Sequence, residues 1–531
     1  MNLHRQPDQD GRTPVWNAAL DGDLPELKWL MKHGAKDDVR RPDNEGVTPL
    51  LISTLEGHLD IVQYLFENGA QQDINRGDRD GFLPIHAAAK KNWSSTMQWL
   101  MNLGVDVRST THVGATPLLL AVVEGHTDMI RLLCENGAKE DIHLPTVGGL
   151  TPINAAAAKG DLEQLRILAE HAGMVGMMTM FIAVARGHFD LVQFLYQRNK
   201  EMLQQNMVQN SISFTNERGE TMLFAACRCG NLKMAQWLVK TMGAHADMNR
   251  AALDGDTPLY VASWKGHLHI VRWLIEVLGA SALITNNFDV GPLYAAAANG
   301  HVDVVSLLMK HGGANLLVDA VTKSGSTALL AAANSGHFDA VKLLHQHGAD
   351  LRHVSDKGVT AAFYACVHGR MDMLLWIYEK GGYDAACKDL VAKVKTTPHQ
   401  HHHGHGHGYG GHSHNENEAH RETAVTLACQ ADQLNVVIWL VRRGIPAPKD
   451  CPFHRMSDKS QDVLQKLAVE NRDVDHQSFL AMVPSGLPLD VVRLVQSFVS
   501  GTKRTRQLWN QAVHCKSSPN NSDSLQFEMH L

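Results

Sequence analysis

One phrase recurs through most of this chain: Gly-x-Thr-Pro-Leu, a short run of small and apolar residues ending in Gly-His, then Val/Ile/Leu at helical spacing up to Asn/His-Gly-Ala. The clearest copies are Gly46-Val47-Thr48-Pro49-Leu50 with Gly57-His58 and Asn68-Gly69-Ala70, and Gly114-Ala115-Thr116-Pro117-Leu118 with Gly125-His126 and Asn136-Gly137-Ala138. Others begin at Thr13-Pro14, Pro84, Thr151-Pro152, Thr221, Thr257-Pro258, Pro292, Thr327 and Thr360, with weaker copies around Gly187-His188 and Thr423-Ala424, which makes twelve units. From Gly22 to Gly369 the equivalent position advances 347 residues in ten steps, or 34.7 per unit. A unit this short cannot bury its apolar face alone and must stack on its neighbours. The about three or four globules that a chain of 531 residues would otherwise suggest give way to one quasi-linear array.

The residues explain the shape of a unit. Thr-Pro opens a helix, because proline in the first turn forfeits no hydrogen bond and the Thr hydroxyl can accept from a free backbone N–H. Alanine pairs such as Ala18-Ala19, Ala88-Ala89 and Ala296-Ala297 keep that helix thin enough for close stacking. Glycine then caps it in the left-handed conformation. Asp60, Asp128, Asp190, Asp303 and Asp339 fall in the first turn of a second helix, where negative charge suits the helix dipole.

This period, with Thr-Pro-Leu and Gly-His, resembles the ankyrin repeat. The resemblance implies an all-α repeat solenoid of helix–turn–helix units joined by hairpin loops, and a non-enzymatic scaffold or adaptor that binds protein. It divides the chain into an unstructured N-terminus (1–10), repeats 1–11 (11–384), a His/Gly-rich unstructured insertion (385–421), a degenerate final repeat (422–447) and a C-terminal helical capping region with an unstructured tail (448–531). By the same resemblance, partners bind hairpin tips and the exposed, concave face of the first helices. The tips carry Asp43, Asn44 and Glu45, then Arg76, Asp78, Arg79 and Asp80, then Asn286, Asn287 and Asp289, and Asp356 with Lys357. Lys90, Lys91, Trp264 and Lys265 follow the small-residue run on first helices, with Trp264 either an interface anchor or partly buried against a neighbouring repeat.

Two residue types keep phase with the repeat. Trp29, Trp99, Trp237, Trp273, Trp376 and Trp439 each lie seven residues after the position equivalent to Gly22, with Tyr64 and Phe194 at the same place elsewhere. A row of aromatic ligands is one reading; core packing between stacked helices is the simpler expectation. His58, His126, His188, His267, His301 and His337 recur in the turn between helices. Spaced one per repeat, by roughly the 8–10 Å helix-packing distance, they cannot meet at one zinc ion and are expected to bond backbone instead.

The pattern breaks twice. The step from Gly160 to Gly187 is 27 residues and the next, to Gly230, is 43. The repeat at His188 is therefore expected to lack its leading hairpin, with an irregular connection over 200–218 dividing the array into two blocks. Later, nine histidines fall within 399–420, too polar and Gly-rich to build a core. That insertion reads as an unliganded loop, as a weak site for Zn, Ni or Cu through His401, His403, His405, His407, His412 and His414, or as a charge switch below about pH 6.

After the repeats, 457–471 suits a polar helix covering the end of the stack, and 486–501 carries Pro488 followed by a broad stripe of Val491, Val492, Leu494, Val495, Phe498 and Val499. With Leu508-Trp509, this segment resembles an F-box, which would imply the substrate-recognition subunit of a ubiquitin ligase; a capping helix is the alternative. Lys503-Arg504-Thr505-Arg506 reads as solvated surface or as a nuclear address.

Composition narrows the rest. Forty-nine basic against 55 acidic residues, a net charge of −6, lacks the excess that phosphate neutralisation requires, so no nucleic acid is expected. Eight cysteines without a CxxC pair suggest a reducing compartment, and no secretory leader or membrane span is evident, so a cytoplasmic monomer is expected, with the nucleus as the alternative location. No GxSxG, HExxH or phosphate-cradling loop occurs, and neither catalysis nor a cofactor is expected.

Overall fold

The computed structural model describes residues 7–173, 175–200, 214–311, 318–381, 394–396, 420–422, 428–442, 456–457 and 460. It is an all-α repeat solenoid built from pairs of short antiparallel helices. Two compact units divide it, Met1–Pro258 and Leu259–Leu531. The division thus falls at the first helix of repeat 8, and the connection over 200–218 lies inside the first unit.

In the first unit, repeats 1 to 5 comprise Pro14–Asp21 with Leu24–Lys32, Pro49–Glu56 with Leu59–Leu65, Pro84–Lys91 with Ser94–Asn102, Pro117–Glu124 with Thr127–Glu135, and Pro152–Lys159 with Leu162–Ala172. Repeat 6 is Met177–Arg186 with Phe189–Arg198, and repeat 7 is Met222–Arg228 with Leu232–Met242. In the second unit, repeats 8 to 11 comprise Pro258–Lys265 with Leu268–Glu276, Pro292–Ala298 with Val302–His311, Ala328–Ser335 with Phe338–Gln346, and Ala361–Val367 with Met371–Gly381. Of repeat 12 the structure describes the second helix, Leu434–Arg442.

The Thr caps act as the sequence implies. Oγ1 of Thr48 accepts the Leu51 N–H at 3.1 Å, and Thr13, Thr116, Thr151, Thr221, Thr327 and Thr360 repeat this bond. Repeat 3 has Leu83 at the cap position. There His86, fully buried, turns its Nδ1 back to accept the Leu83 N–H at 3.0 Å, while its Nε2–H donates to Ser109 O at 2.9 Å. Small residues of the first helices and Leu/Ile/Val of both helices form the core, among them Ala88, Leu100, Leu118 and Ile130, all with no exposed surface. Each large aliphatic side chain so buried contributes on the order of 1.5–3 kcal/mol.

Repeat 6 lacks its hairpin. Four residues separate Ala172 from Met177, against the dozen or more that carry a hairpin elsewhere in the unit. Two other departures concern segments expected to be unstructured. Residues 8–12 already form the first hairpin turn, because Asp8 Oδ1 accepts the N–H groups of Asp10 and Arg12 at 3.0 and 2.9 Å. At the ends of 385–421, Val394–Thr396 pairs antiparallel with His420–Glu422, whose last residue lies just beyond that range, with Lys395 opposite Arg421. The segments 457–471, 486–501 and 503–509, expected to be a capping helix, an F-box-like helix and a basic surface or nuclear address, lie outside the described residues apart from Ser457 and Ser460.

The in-phase tryptophans pack between repeats, edge to face. Trp99 meets Phe66 at 5.3 Å, Trp237 meets Phe189 and Tyr196 at 5.9 and 5.2 Å, Trp376 meets Phe338 at 5.7 Å and Trp439 meets Tyr378 at 5.2 Å. Each partner belongs to the preceding repeat. Trp29 departs from the expected core position: it is 49% exposed, because no described repeat precedes it, and it stacks on its own helix neighbour His33 at 4.2 Å.

Candidate protein-binding surface

The hairpin tips are built on one device. A short polar side chain three residues before the tip glycine accepts two backbone N–H groups across the turn. Asp43 Oδ1 accepts from Glu45 and Val47, both at 2.9 Å, Asp78 from Asp80 and Phe82, and Asn286 from Phe288 and Val290. Thr111, Thr146 and Thr322 perform the same turn closure through a hydroxyl.

Consecutive tips are then joined by one backbone bond per step. In the first unit, Asn44 N donates to Asp10 O at 2.8 Å, Arg79 N to Glu45 O at 3.0 Å, His112 N to Asp80 O at 2.9 Å and Val147 N to Val113 O at 3.0 Å, with Leu253 N on Arg218 O at 2.9 Å further along. In the second unit Lys323 N donates to Phe288 O at 3.1 Å and Asp356 N to Ser324 O at 3.3 Å. The tips of each unit therefore stand in an ordered row, with side chains offered at regular spacing.

This geometry sorts the residues expected at the partner surface. Asp43, Asp78 and Asn286 hold their own turns, and Asn44 Nδ2 donates to Gln9 O at 3.0 Å. Arg76 is also structural: its Nη1 donates to Arg40 O at 3.1 Å and lies 3.6 Å from the buried Asp73 carboxylate. Asp289 replaces glycine in the left-handed position of its tip, at φ 58°. Glu45 and Arg79 form a tip-to-tip ion pair at 3.3 Å and remain largely exposed. Asp80, Asn287, Asp289, Asp356 and Lys357 are exposed. On the first helices Lys91 is exposed, Lys90 is exposed with its Nζ 5.8 Å from the Phe82 ring, and Trp264 is half-buried with Lys265 Nζ over its ring at 4.3 Å.

The in-phase histidines face the repeat behind them. Nε2 of His58, His126, His188 and His301 lies 2.9–3.2 Å from the carbonyls of Leu20, Lys90, Ala158 and Trp264, each at the end of the preceding first helix. Where histidine is missing, Trp93 Nε1 donates to Leu55 O at 3.2 Å, Lys159 Nζ to Val122 O and Val123 O at 3.2 and 2.8 Å, and Arg370 Nη1 to Ala333 O at 2.8 Å. The shared role, donation to orphan helix carbonyls, admits any long donor. Trp93 escaped the sequence reading although it stands in the His58 phase.

Buried charge bridges repeats as well. Arg108 Nε donates to the fully buried Asp141 at 2.9 Å, holding the guanidinium pKa above its ordinary value, while burial pushes the Asp141 carboxyl up. Burial pushes the Cys134 thiol up to about 12 and raises Cys227 and Cys366 as well, so these thiols stay protonated. Among the described residues no group of three or more His, Cys, Asp or Glu could hold a metal, and no helix is long and apolar enough to cross a membrane. His401, His403, His405, His407, His412 and His414 lie outside the described residues.

Among the described residues two tips carry no formal charge, a feature legible in Thr111-His112-Val113-Gly114 and Thr146-Val147-Gly148-Gly149-Leu150. Val113 is 61% and Val147 85% exposed. The family model for ankyrin repeats matches residues 1–78, 70–144, 180–286, 277–353 and 293–389, together 354 of 531 residues. No curated protein matches the chain.

Proposed function

The chain belongs to the ankyrin-repeat family, and from that premise we propose that it is a non-enzymatic scaffold whose partners are proteins engaged by hairpin tips and the exposed first-helix face. The tip-to-tip backbone ladder carries this reading: it holds exposed side chains such as Glu45, Arg79 and Asp80 in a preorganised row, so binding loses little loop entropy. Ladder geometry and charge suit a folded or extended protein surface of complementary charge pattern.

Charge reversal tests it. The variant Arg79→Glu/Asp80→Lys/Lys91→Glu changes only exposed groups and should keep the helical circular dichroism of the parent. Proximity labelling by the full chain and by this variant should then give different protein sets; identical sets would count against tip recognition. A second variant, Asp356→Lys/Lys357→Glu, asks the same of the second unit.

A further inference from the structure

Among the described residues, the tip ladder of the first unit breaks off after repeat 5 and resumes with Leu253 N on Arg218 O. Elsewhere the glycine of one tip is covered by the backbone of the next: a Cβ built on Gly11 would come within 3.0 Å of Asn44 N, on Gly46 within 3.2 Å of Arg79 N, on Gly81 within 3.1 Å of His112 N, and on Gly219 within 3.1 Å of Leu253 N. On Gly149 it would meet nothing within 4 Å. The acceptor in every step is the carbonyl just before the tip glycine, namely Asp10, Glu45, Asp80, Val113 and Arg218. The next acceptor in that register is Gly148 O, which no backbone N–H of the described residues reaches. The cause is the hairpin missing from repeat 6, which leaves a notch one tip wide.

The wall of this notch on the side of repeats 4 and 5 is apolar. Val113, Val147 and Leu150 stand exposed on the tips of repeats 4 and 5. Met177 and Met178 lie half-buried in the first turn of repeat 6, which is tied to repeat 5 by Thr179 Oγ1 donating to Asn154 Oδ1 at 2.8 Å. No Asp, Glu, Lys or Arg occurs in 109–123, 144–158 or 173–185, whereas tips 1–3 and 7 bear Asp8 and Asp10, Asp43 and Glu45, Asp78 to Asp80, and Glu217 with Arg218. The family model also leaves 145–179 unmatched.

We propose that this notch docks an extended, uncharged, aliphatic-rich segment of a partner protein, which takes the place of the missing hairpin and donates a backbone N–H to Gly148 O. Each step of the ladder is one main-chain bond, so an incoming chain must offer free backbone N–H groups, which an extended segment does and a helix does not. Apolar side chains at alternate positions would cover Val113, Val147 and Leu150, while a charged segment would lose hydration against that wall, which offers no countercharge. The paired glycines at 148–149 leave the backbone open to that approach. This inference rests on the reading of the chain as a protein-binding scaffold and names the partner class for one surface of it.

The test uses the full chain and three fluorescein-labelled peptides about six residues long, an ordinary strand length. One alternates Thr and Val, one replaces Thr by Lys and Glu in turn, and one is the Thr/Val peptide N-methylated at alternate residues. Anisotropy titration should show the Thr/Val peptide binding about tenfold or more tighter than either of the others. V147D, at a position 85% exposed, should keep the parental melting curve and lose that preference. Equal binding of the three peptides, or undiminished binding by V147D, would overturn the inference. So would light scattering that shows a dimer abolished by V147D, which assigns the notch to a second copy. Peptide binding only after replacing 201–213 by a Gly-Ser linker would assign it to the chain itself and overturn it too. If the peptides fail while the Arg79/Asp80/Lys91 variant still changes its labelled set, the scaffold reading stands and the notch inference falls; the reverse pattern separates them the other way.

Discussion

The imidazole of His188 lies against Gly160, and its Nε2–H donates to the carbonyl of Ala158 at 3.2 Å. The Gly-His phrase is therefore a contact between repeats: Gly22, Gly160, Gly266 and Gly300 each receive the imidazole of the following repeat, and the rings of His58, His188 and His301 close the end of the preceding first helix.

That relationship predicts a contrast between two glycines with similar backbone. Gly160 has φ +82° and Gly104 has φ +81°, but a Cβ at Gly160 would land on the His188 ring whereas at Gly104 it would meet nothing within 4 Å. Gly104→Ala should cost roughly 1–2 kcal/mol, the conformational term alone. Gly160→Ala should cost a further 1–3 kcal/mol or so from overpacking. Urea unfolding of the two variants measures the difference, and equal losses would mean the ring moves aside freely.

Turn closure and surface charge separate at one tip. Asp43→Ala removes the acceptor of two backbone bonds and should lower stability by about 1–2 kcal/mol. Glu45→Ala breaks only the exposed pair with Arg79 and should change it by less than about 1 kcal/mol. Thermal unfolding decides the order, and hydrogen exchange at Val47 should report the Asp43 change locally.

Repeat 3 should weaken in acid. Burial holds the His86 pKa below its ordinary 6.5, against the smaller opposing influence of the Ser109 carbonyl and of Asp78. The unfolded chain therefore takes up the proton first, so stability contributed by neutral His86 is complete above pH 6.5 and declines as pH falls below it. Protonation of Nδ1 would also end its acceptance of the Leu83 N–H. Hydrogen-exchange protection factors in 84–102 should fall more between pH 7.5 and 5.5 in the parent than in His86→Gln; equal loss of protection would place the sensitivity elsewhere.

The tryptophan row should be energetically uneven. Trp237→Leu loses edge-to-face contacts with Phe189 and Tyr196 and should cost roughly 1–3 kcal/mol. Trp29→Leu, at a half-exposed ring, should cost less. Comparing chemical denaturation midpoints of the two variants checks the ranking.

By itself the sequence determined the repeat period, the Thr-Pro helix starts, the glycine caps and the hairpin missing between Gly160 and Gly187. These are local: cap chemistry, left-handed glycine and apolar spacing act within one helix pair and leave their mark in neighbouring residues. It also placed the histidines as structural, though not which carbonyls they reach. Tertiary structure alone decided how tip residues divide. Asp43 and Glu45 are two positions apart and both acidic, yet one is bound into its turn and the other faces solvent and Arg79. Stacking likewise decided that Trp29 is exposed while Trp273 is buried, and that, among the described residues, nothing covers Gly149 while Gly114 is covered. Those distinctions depend on what the adjacent repeat presents about 35 residues away, which no single unit of the sequence records.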